Sequence, residues 1–423
     1  MTDNGQPGLK RQLRLGDAVF IGLGSMIGAG VFAVWVPAAQ VAGVWLLLGL
    51  AIALMVAYCN ATSSAQLAAQ YPTSGGTYVY GQERLGEWPG FLAGWGFVVG
   101  KTASVAAMAL TFGQYLATAL GVPDIATIGR SLAMAAVLVL AAVNCLGVTR
   151  TARLTRIIVV IVLAVLVVAM VNNVAWPMWG WVRLAEPGPI GPYQVLQSAG
   201  LLFFAFAGYA RIATMGEEVV EPRRTIPRAI LIALSLTAVV HFVVGAVLLR
   251  GGAQWIASAQ APLALSRWHS VTLVVTVGAA LATAGAMLNL MTGIGRTTLA
   301  MARNRDLPGW LAVIEPRHQV PRRAEVVLAV VVCALLLIGD LRTVIGFSSF
   351  GVLIYYCIAN LAALTQGPAD RRFGKPLQVL GAVLCLVLVA TLPWQSVVGG
   401  LIMYAVGAAY RLLTRAHRKH LAP

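Results

Sequence analysis

The sequence predicts an all-α integral membrane protein with twelve transmembrane helices. Three observations carry that prediction. Hydrophobic residues make up 59% of the 423 and charged residues only 10%, far below the roughly one quarter usual in soluble domains. The apolar runs are long and do not alternate, which excludes a membrane-spanning barrel of strands. The basic residues gather between the runs rather than inside them.

A bilayer span takes about 20 mainly apolar residues, and a helix satisfies its own backbone groups where no water reaches them. Run length and turn residues place the spans at 16–40, 44–68, 89–119, 129–148, 155–175, 193–218, 227–249, 271–302, 324–339, 342–364, 376–391 and 394–411. With the N-terminus inside, 22 of the 30 Lys and Arg residues fall on the cytoplasmic side. Five fall outside (Arg130, Arg183, Arg250, Arg267 and Arg342), and three lie within spans. The positive-inside rule therefore puts both termini in the cytoplasm of a bacterial-type inner membrane. The formal charge of +16 is then a topology signal and calls for no nucleic acid partner. Cys59, Cys145, Cys333, Cys357 and Cys385 all lie in apolar runs without metal-ligand or disulfide spacing and read as packing residues. No cleavable signal peptide is visible.

Two spans stand out. The first holds Gly22, Gly24, Gly28 and Gly30 at mid-membrane. Each glycine weakens a helix by about 1 kcal/mol relative to alanine. Such a stretch serves either close helix packing or a helix broken beside a cavity. The sixth span, Phe203 to Arg228, carries Gly208 mid-span, followed by Tyr209 and Arg211. Five spans separate the two starts, so the helices run in opposite directions. Two interrupted helices at matching places in two five-span halves point to an inverted-repeat transporter.

Four ordered motifs resemble the amino acid–polyamine–organocation (APC) permeases, with the cationic amino acid transporter-like branch the most similar. Gly24-Ser-Met-Ile-Gly-Ala-Gly-Val-Phe32 resembles their first helix, and Tyr71 to Tyr80 their second-to-third-helix segment. Phe203 to Arg228, with Gly208, Glu217, Glu218, Pro222, Arg223 and Pro227, resembles their sixth helix and following loop. Met301-Ala-Arg-Asn-Arg-Asp-Leu-Pro308 resembles the end of their eighth. The resemblance covers roughly residues 10–370. It implies a five-plus-five inverted repeat with helices 1 and 6 broken and two extra C-terminal helices. The corresponding division is an N-terminal tail at 1–15, a first repeat at 16–175, a second at 193–364, the extra helices at 376–411 and a basic tail at 412–423.

A half-helix N-terminus offers unpaired N–H groups and a partial positive charge. In such a fold the substrate carboxylate docks on the amides around Ser25, Met26, Ile27, Gly28, Ala29 and Gly30. The substrate ammonium docks on carbonyls around Phe203, Phe204, Ala205 and Phe206, beside Gly208. The resemblance makes Phe204, four residues before Gly208, the aromatic that closes over the substrate; ordinary packing is the alternative.

A charge inside a span is costly and marks function by default. Lys101 lies near the middle of the third span. A desolvated lysine can release a proton and so couple transport to protons; fixing helix packing through carbonyls is the alternative. Arg211 suits a gate or a carbonyl partner, since its charge does not titrate. Arg296 reads as snorkelling. The fifth-helix lysine of some proton-coupled relatives is missing, because Ile161-Val-Leu-Ala164 stands in its place. Thr283 is a candidate sodium ligand with first-helix carbonyls, and His241 a candidate proton relay; packing is the alternative for both. The loop from Glu217 to Arg224 suggests a cytoplasmic lock, its glutamates pairing with Arg150 or Arg153 and its arginines with Asp17; topology signalling by Arg223 and Arg224 is the alternative.

The function implied is secondary active transport of amino acids, as proton symport of small to medium neutral ones. Exchange of amino acids or polyamines, and uptake of cationic amino acids, are alternatives. No repeated filter segment supports a channel or receptor, and no HExxH, nucleophile constellation or Walker A motif supports an enzyme or an ATP-driven pump. No cofactor, metal or obligate protein partner is expected; the coupling ion is a proton or else sodium.

Overall fold

The computed structural model describes residues 11–73, 75–147, 152–175, 190–315 and 320–421, with side chains to 415. Ser74, Lys10, Arg150, Arg183 and Arg317 therefore lie outside the described residues, as do the side chains of Arg418 and Lys419. The helices in chain order are α1 (Leu15–Ala33), α2 (Trp35–Ala42), α3 (Leu46–Gln70), α4 (Thr77–Leu85), α5 (Glu87–Ala119), α6 (Ile125–Cys145), α7 (Ala152–Ala175) and α8 (Pro192–Phe206). Then follow α9 (Ala210–Ala213), α10 (Pro222–Arg250), α11 (Ala253–Ser258), α12 (His269–Arg303), α13 (Arg322–Ile338), α14 (Leu341–Leu364), α15 (Lys375–Thr391) and α16 (Trp394–Leu421). No β-strand is present among the described residues, only two isolated bridges.

Local chemistry fixes many of the starts. Pro192 and Pro222 open α8 and α10, where a missing N–H costs nothing. Asp124 and Asp340 cap α6 and α14 by accepting the N–H groups of Thr127 and Thr343. Among the described residues, ten helices are long and apolar enough to cross a bilayer, counting Trp35–Gln70, which holds α2 and α3, as one. α15 is apolar but only 17 residues long. α13, also 17 residues, carries Arg322, Arg323 and Glu325 in its first turn.

α5 runs through the middle, packed against α6, α12 and α14, while α1 packs against α7, α8, α10 and α12. Val139, Val167, Val239 and Leu401 are exposed on the outside. So large an apolar outer surface suits hydrocarbon as its solvent.

The first span departs from expectation. It is not broken at its glycines: α1 is helical from Leu15 to Ala33, and the chain kinks only at Val34, before α2. The amides of residues 25–30 are therefore inside a continuous helix and are not the free donors expected of them. The glycines serve packing instead. A Cβ on Gly30 would stand 2.7 Å from Ala205 Cα, so glycine lets α1 and α8 touch backbone to backbone. α16 also runs on to Leu421, so residues 412–421 continue a helix instead of forming a separate tail.

The Met301–Pro308 segment anchors α16. Buried Arg411 donates to Asp306 Oδ1 at 2.7 Å and lies over the rings of Phe91 and Trp88, at 4.5 and 5.1 Å. Tyr78 of α4 donates to Asp306 Oδ2 at 2.9 Å and accepts from Asn304 at 2.9 Å. Burial pushes the Tyr78 hydroxyl up to about 12, so it remains a donor. Removing one member of a buried ion pair costs about 3–5 kcal/mol, whereas replacing both is far milder. Arg411→Met should therefore lower the unfolding temperature of the purified protein by several degrees, and adding Asp306→Asn should restore part of the loss. A thermal scan in detergent that finds the single variant as stable as wild type would remove this anchor.

Candidate substrate site

The sixth span is interrupted where expected. α8 ends at Phe206, a 3₁₀ turn occupies Ala207–Tyr209, and α9 resumes for one turn. An interruption at membrane depth frees carbonyl groups that must find donors. Ala207 O finds two: Lys101 Nζ of α5 at 3.1 Å and Tyr356 Oη of α14 at 3.2 Å. Tyr356 is set by ring contacts with Tyr209 and Phe203, at 5.0 and 5.8 Å. Gly208 presses on α1, where a Cβ would overlap the Ser25 carbonyl and stand 2.8 Å from Met26 Cγ. Only glycine permits that approach.

Around this break lies a cavity with about 720 Å³ of empty space, counted out to its mouth. Ser25, Lys101, Phe204, Gly208 and Arg211, each a candidate from the sequence in one role or another, line it. That reading missed Phe97, Ser104, Thr214, Asn289 and Thr297, and it gave Arg296 no place here although Arg296 lines the cavity. Asn289, an uncompensated amide in the middle of a span, was the available signal. Ser104 is held by Ser348 of α14, with their hydroxyls 2.6 Å apart.

The remaining expected residues lie elsewhere. Ile27 and Gly28 border a second, narrower pocket between α1, α7 and α12, which shares Asn289 and Ala286 with the first. Met26, Ala29 and Gly30 are buried in helix contacts. Of the four residues expected to offer carbonyls, Phe204 lines the cavity, Ala205 faces Gly30, Phe203 packs on Tyr356, and Phe206 packs on His241. The carbonyl with cross-helix donors is one residue further on, at Ala207.

Neither further coupling candidate lines the cavity. His241 is fully buried between Trp35 and Phe206, with Nδ1 2.9 Å from Thr237 O of its own helix. Thr283 donates to Ala279 O at 2.7 Å, also within its own helix.

The ion pairs at the end carrying the N-terminus differ from those expected. Glu218 accepts from Arg296 at 2.9 Å, and Asp17 from Arg156 at 2.8 Å. Arg296 is thus half of an ion pair and not a snorkelling cation. The loop after α9 also bonds the segment before α1 through its backbone: Gln12 and Leu13 N–H donate to Glu218 O, and Val220 N–H to Leu13 O, all at 2.9–3.0 Å.

The amino acid permease family model matches residues 13–414, and the chain belongs to that family, within the APC superfamily. An uncharacterized transporter of Mycobacterium tuberculosis is 52% identical over 420 residues, covering 97% of this chain and 94% of that relative. A branched-chain amino acid permease of Bacillus subtilis is 25% identical, covering 98% and 96%. The chloroplastic cationic amino acid transporter 7 of Arabidopsis thaliana is 26% identical, covering 93% and 72%. The protein is a transporter and not an enzyme, and amino acids are the class of substrate its family carries.

Lys101 and Tyr356 share one acceptor, which makes a test of the break possible. Lys101→Met or Tyr356→Phe alone leaves Ala207 O one donor. The double variant leaves a buried carbonyl unsatisfied, at a cost of about 1–3 kcal/mol. Thermal unfolding of the two single variants and the double should show a loss in the double greater than the sum. Strict additivity would mean that the two donors do not share the carbonyl.

Proposed function

We propose that this chain is a secondary active transporter working by alternating access, which takes up small to medium amino acids without a cationic side chain, neutral ones among them, in symport with protons. The single observation that carries the reading is the interrupted α8, whose freed Ala207 carbonyl opens beside Lys101 in a cavity between α1, α5, α8 and α12. Twelve spans in a five-plus-five inverted repeat, with both termini on the cytoplasmic side of the inner membrane, form the frame of the proposal. In it, 16–175 and 193–364 are the two repeats, and α15 and α16 are additional. Although the first helix is continuous, the packing of Gly208 on Ser25 brings the two repeats together at the cavity.

Lys101 is the proposed coupling residue. Its partner is a neutral carbonyl, so it can give up a proton without breaking an ion pair. Phe204 and Arg211 are the proposed gate residues on the broken helix, and the Arg296–Glu218 pair closes the cytoplasmic end. A half-buried pair that solvent still reaches contributes little, about 1 kcal/mol, which is enough to bias two states without locking either. Sodium coupling finds less support, since Thr283 does not line the cavity. Cationic substrates fit poorly beside Lys101, Arg211 and Arg296.

Reconstitution tests this. Labelled amino acids should accumulate in proteoliposomes when the outside is acidic, above the level reached without a gradient, and folded Lys101→Ala should lose the gradient response. Uptake that needs internal amino acid and ignores both proton and sodium gradients would replace symport with exchange. Folded protein that moves no amino acid under any of these conditions would sink the reading.

A further inference from the structure

The charges in the cavity do not balance. Lys101, Arg211 and Arg296 line it, and no Asp or Glu does among the described residues. Arg296 is matched by Glu218 at 2.9 Å. Lys101 has the neutral Ala207 carbonyl, and Arg211 the neutral Thr214 hydroxyl at 3.2 Å. The cavity thus holds an excess of positive charge within the membrane, where an unmatched ion is costly.

A neutral amino acid brings one ammonium and one carboxylate and leaves that excess in place. A basic amino acid enlarges it. A substrate with a second carboxylate reduces it.

We propose that the preferred substrate class is the acidic amino acids, with Arg211 taking the side-chain carboxylate in the cavity beside the α8 break. This rests on the transport reading above. It adds that specificity is set by a cation carried on the broken helix. The guanidinium presents several N–H donors in a planar fork that matches a carboxylate. Arg211 lies four residues after Ala207, on the same short stretch beside the break. Asn289 and Ser104 add neutral hydrogen-bonding groups to the lining.

The test is uptake by wild-type protein in proteoliposomes of labelled aspartate, glutamate, serine, leucine and arginine, each over a range of concentrations. The expected result is a KM for aspartate or glutamate about tenfold or more below that of any other, the factor carried by one charge-assisted pair. Serine or leucine transported with a lower KM than both acidic substrates would overturn the proposal and leave amino acid transport standing. No uptake of any of the five would take both down. Arg211→Gln supplies the residue assignment: the ratio of acidic to neutral uptake should fall about tenfold, and Arg211→Lys should restore part of it. An equal fall for both classes would reduce Arg211 to a structural role and overturn the assignment.

Discussion

A backbone carbonyl freed inside a membrane must be given a donor, and much of this structure follows from that requirement. Water cannot supply the donor in hydrocarbon. The interruption of α8 at Ala207–Tyr209 is therefore sustained by side chains from two other helices, Lys101 from α5 and Tyr356 from α14. Their arrangement accounts for the rest of the neighbourhood. Tyr356 is fixed by edge-on and tilted ring contacts, Gly208 lies against the Ser25 carbonyl, and the cavity opens on the face where Lys101 reaches the break. Two helices thus supply the donors that one freed carbonyl requires.

The two ends of the bundle solve different problems. Near the N-terminus, the loop after α9 is held by a short backbone bridge to residues 12 and 13 and by the half-buried Arg296–Glu218 pair, contacts weak enough to be exchanged. The anchor of α16 is of another kind: Arg411 is buried, stacked on two aromatic rings and matched by Asp306, which Tyr78 also serves. Buried pairs of this sort hold a register because breaking them leaves an uncompensated charge. The contrast gives the molecule one rigid attachment and one releasable one.

The class of fold was legible because hydropathy alone dictates it, and the helices fall within a few residues of the apolar runs. The break at Gly208 was also legible, since a glycine beside a tyrosine and an arginine has little business in mid-span otherwise. The behaviour of the first span was not. Gly24, Gly28 and Gly30 carry the same signature whether a helix unwinds or packs closely, and only the position of Ala205 against Gly30 decides it. Arg296 was misjudged for a related reason. Its depth in α12 could be read from the sequence, but Glu218, 78 residues earlier, is brought to it by the return of the loop. Asn289 and Ser104 were overlooked because single polar residues in apolar runs do not announce which face they occupy.

The central claim is that the cavity beside the α8 break is where substrate sits. It can be tested by protection from labelling, in a chain freed of its five cysteines. Ser25→Cys, on the cavity wall, and Thr127→Cys, exposed near the start of α6, would each be treated with a small thiol reagent with and without transported amino acid. The account predicts that substrate slows labelling at position 25, in proportion to its occupancy, and leaves position 127 unaffected. Labelling at position 25 that ignores a substrate the protein demonstrably transports would place the binding site elsewhere.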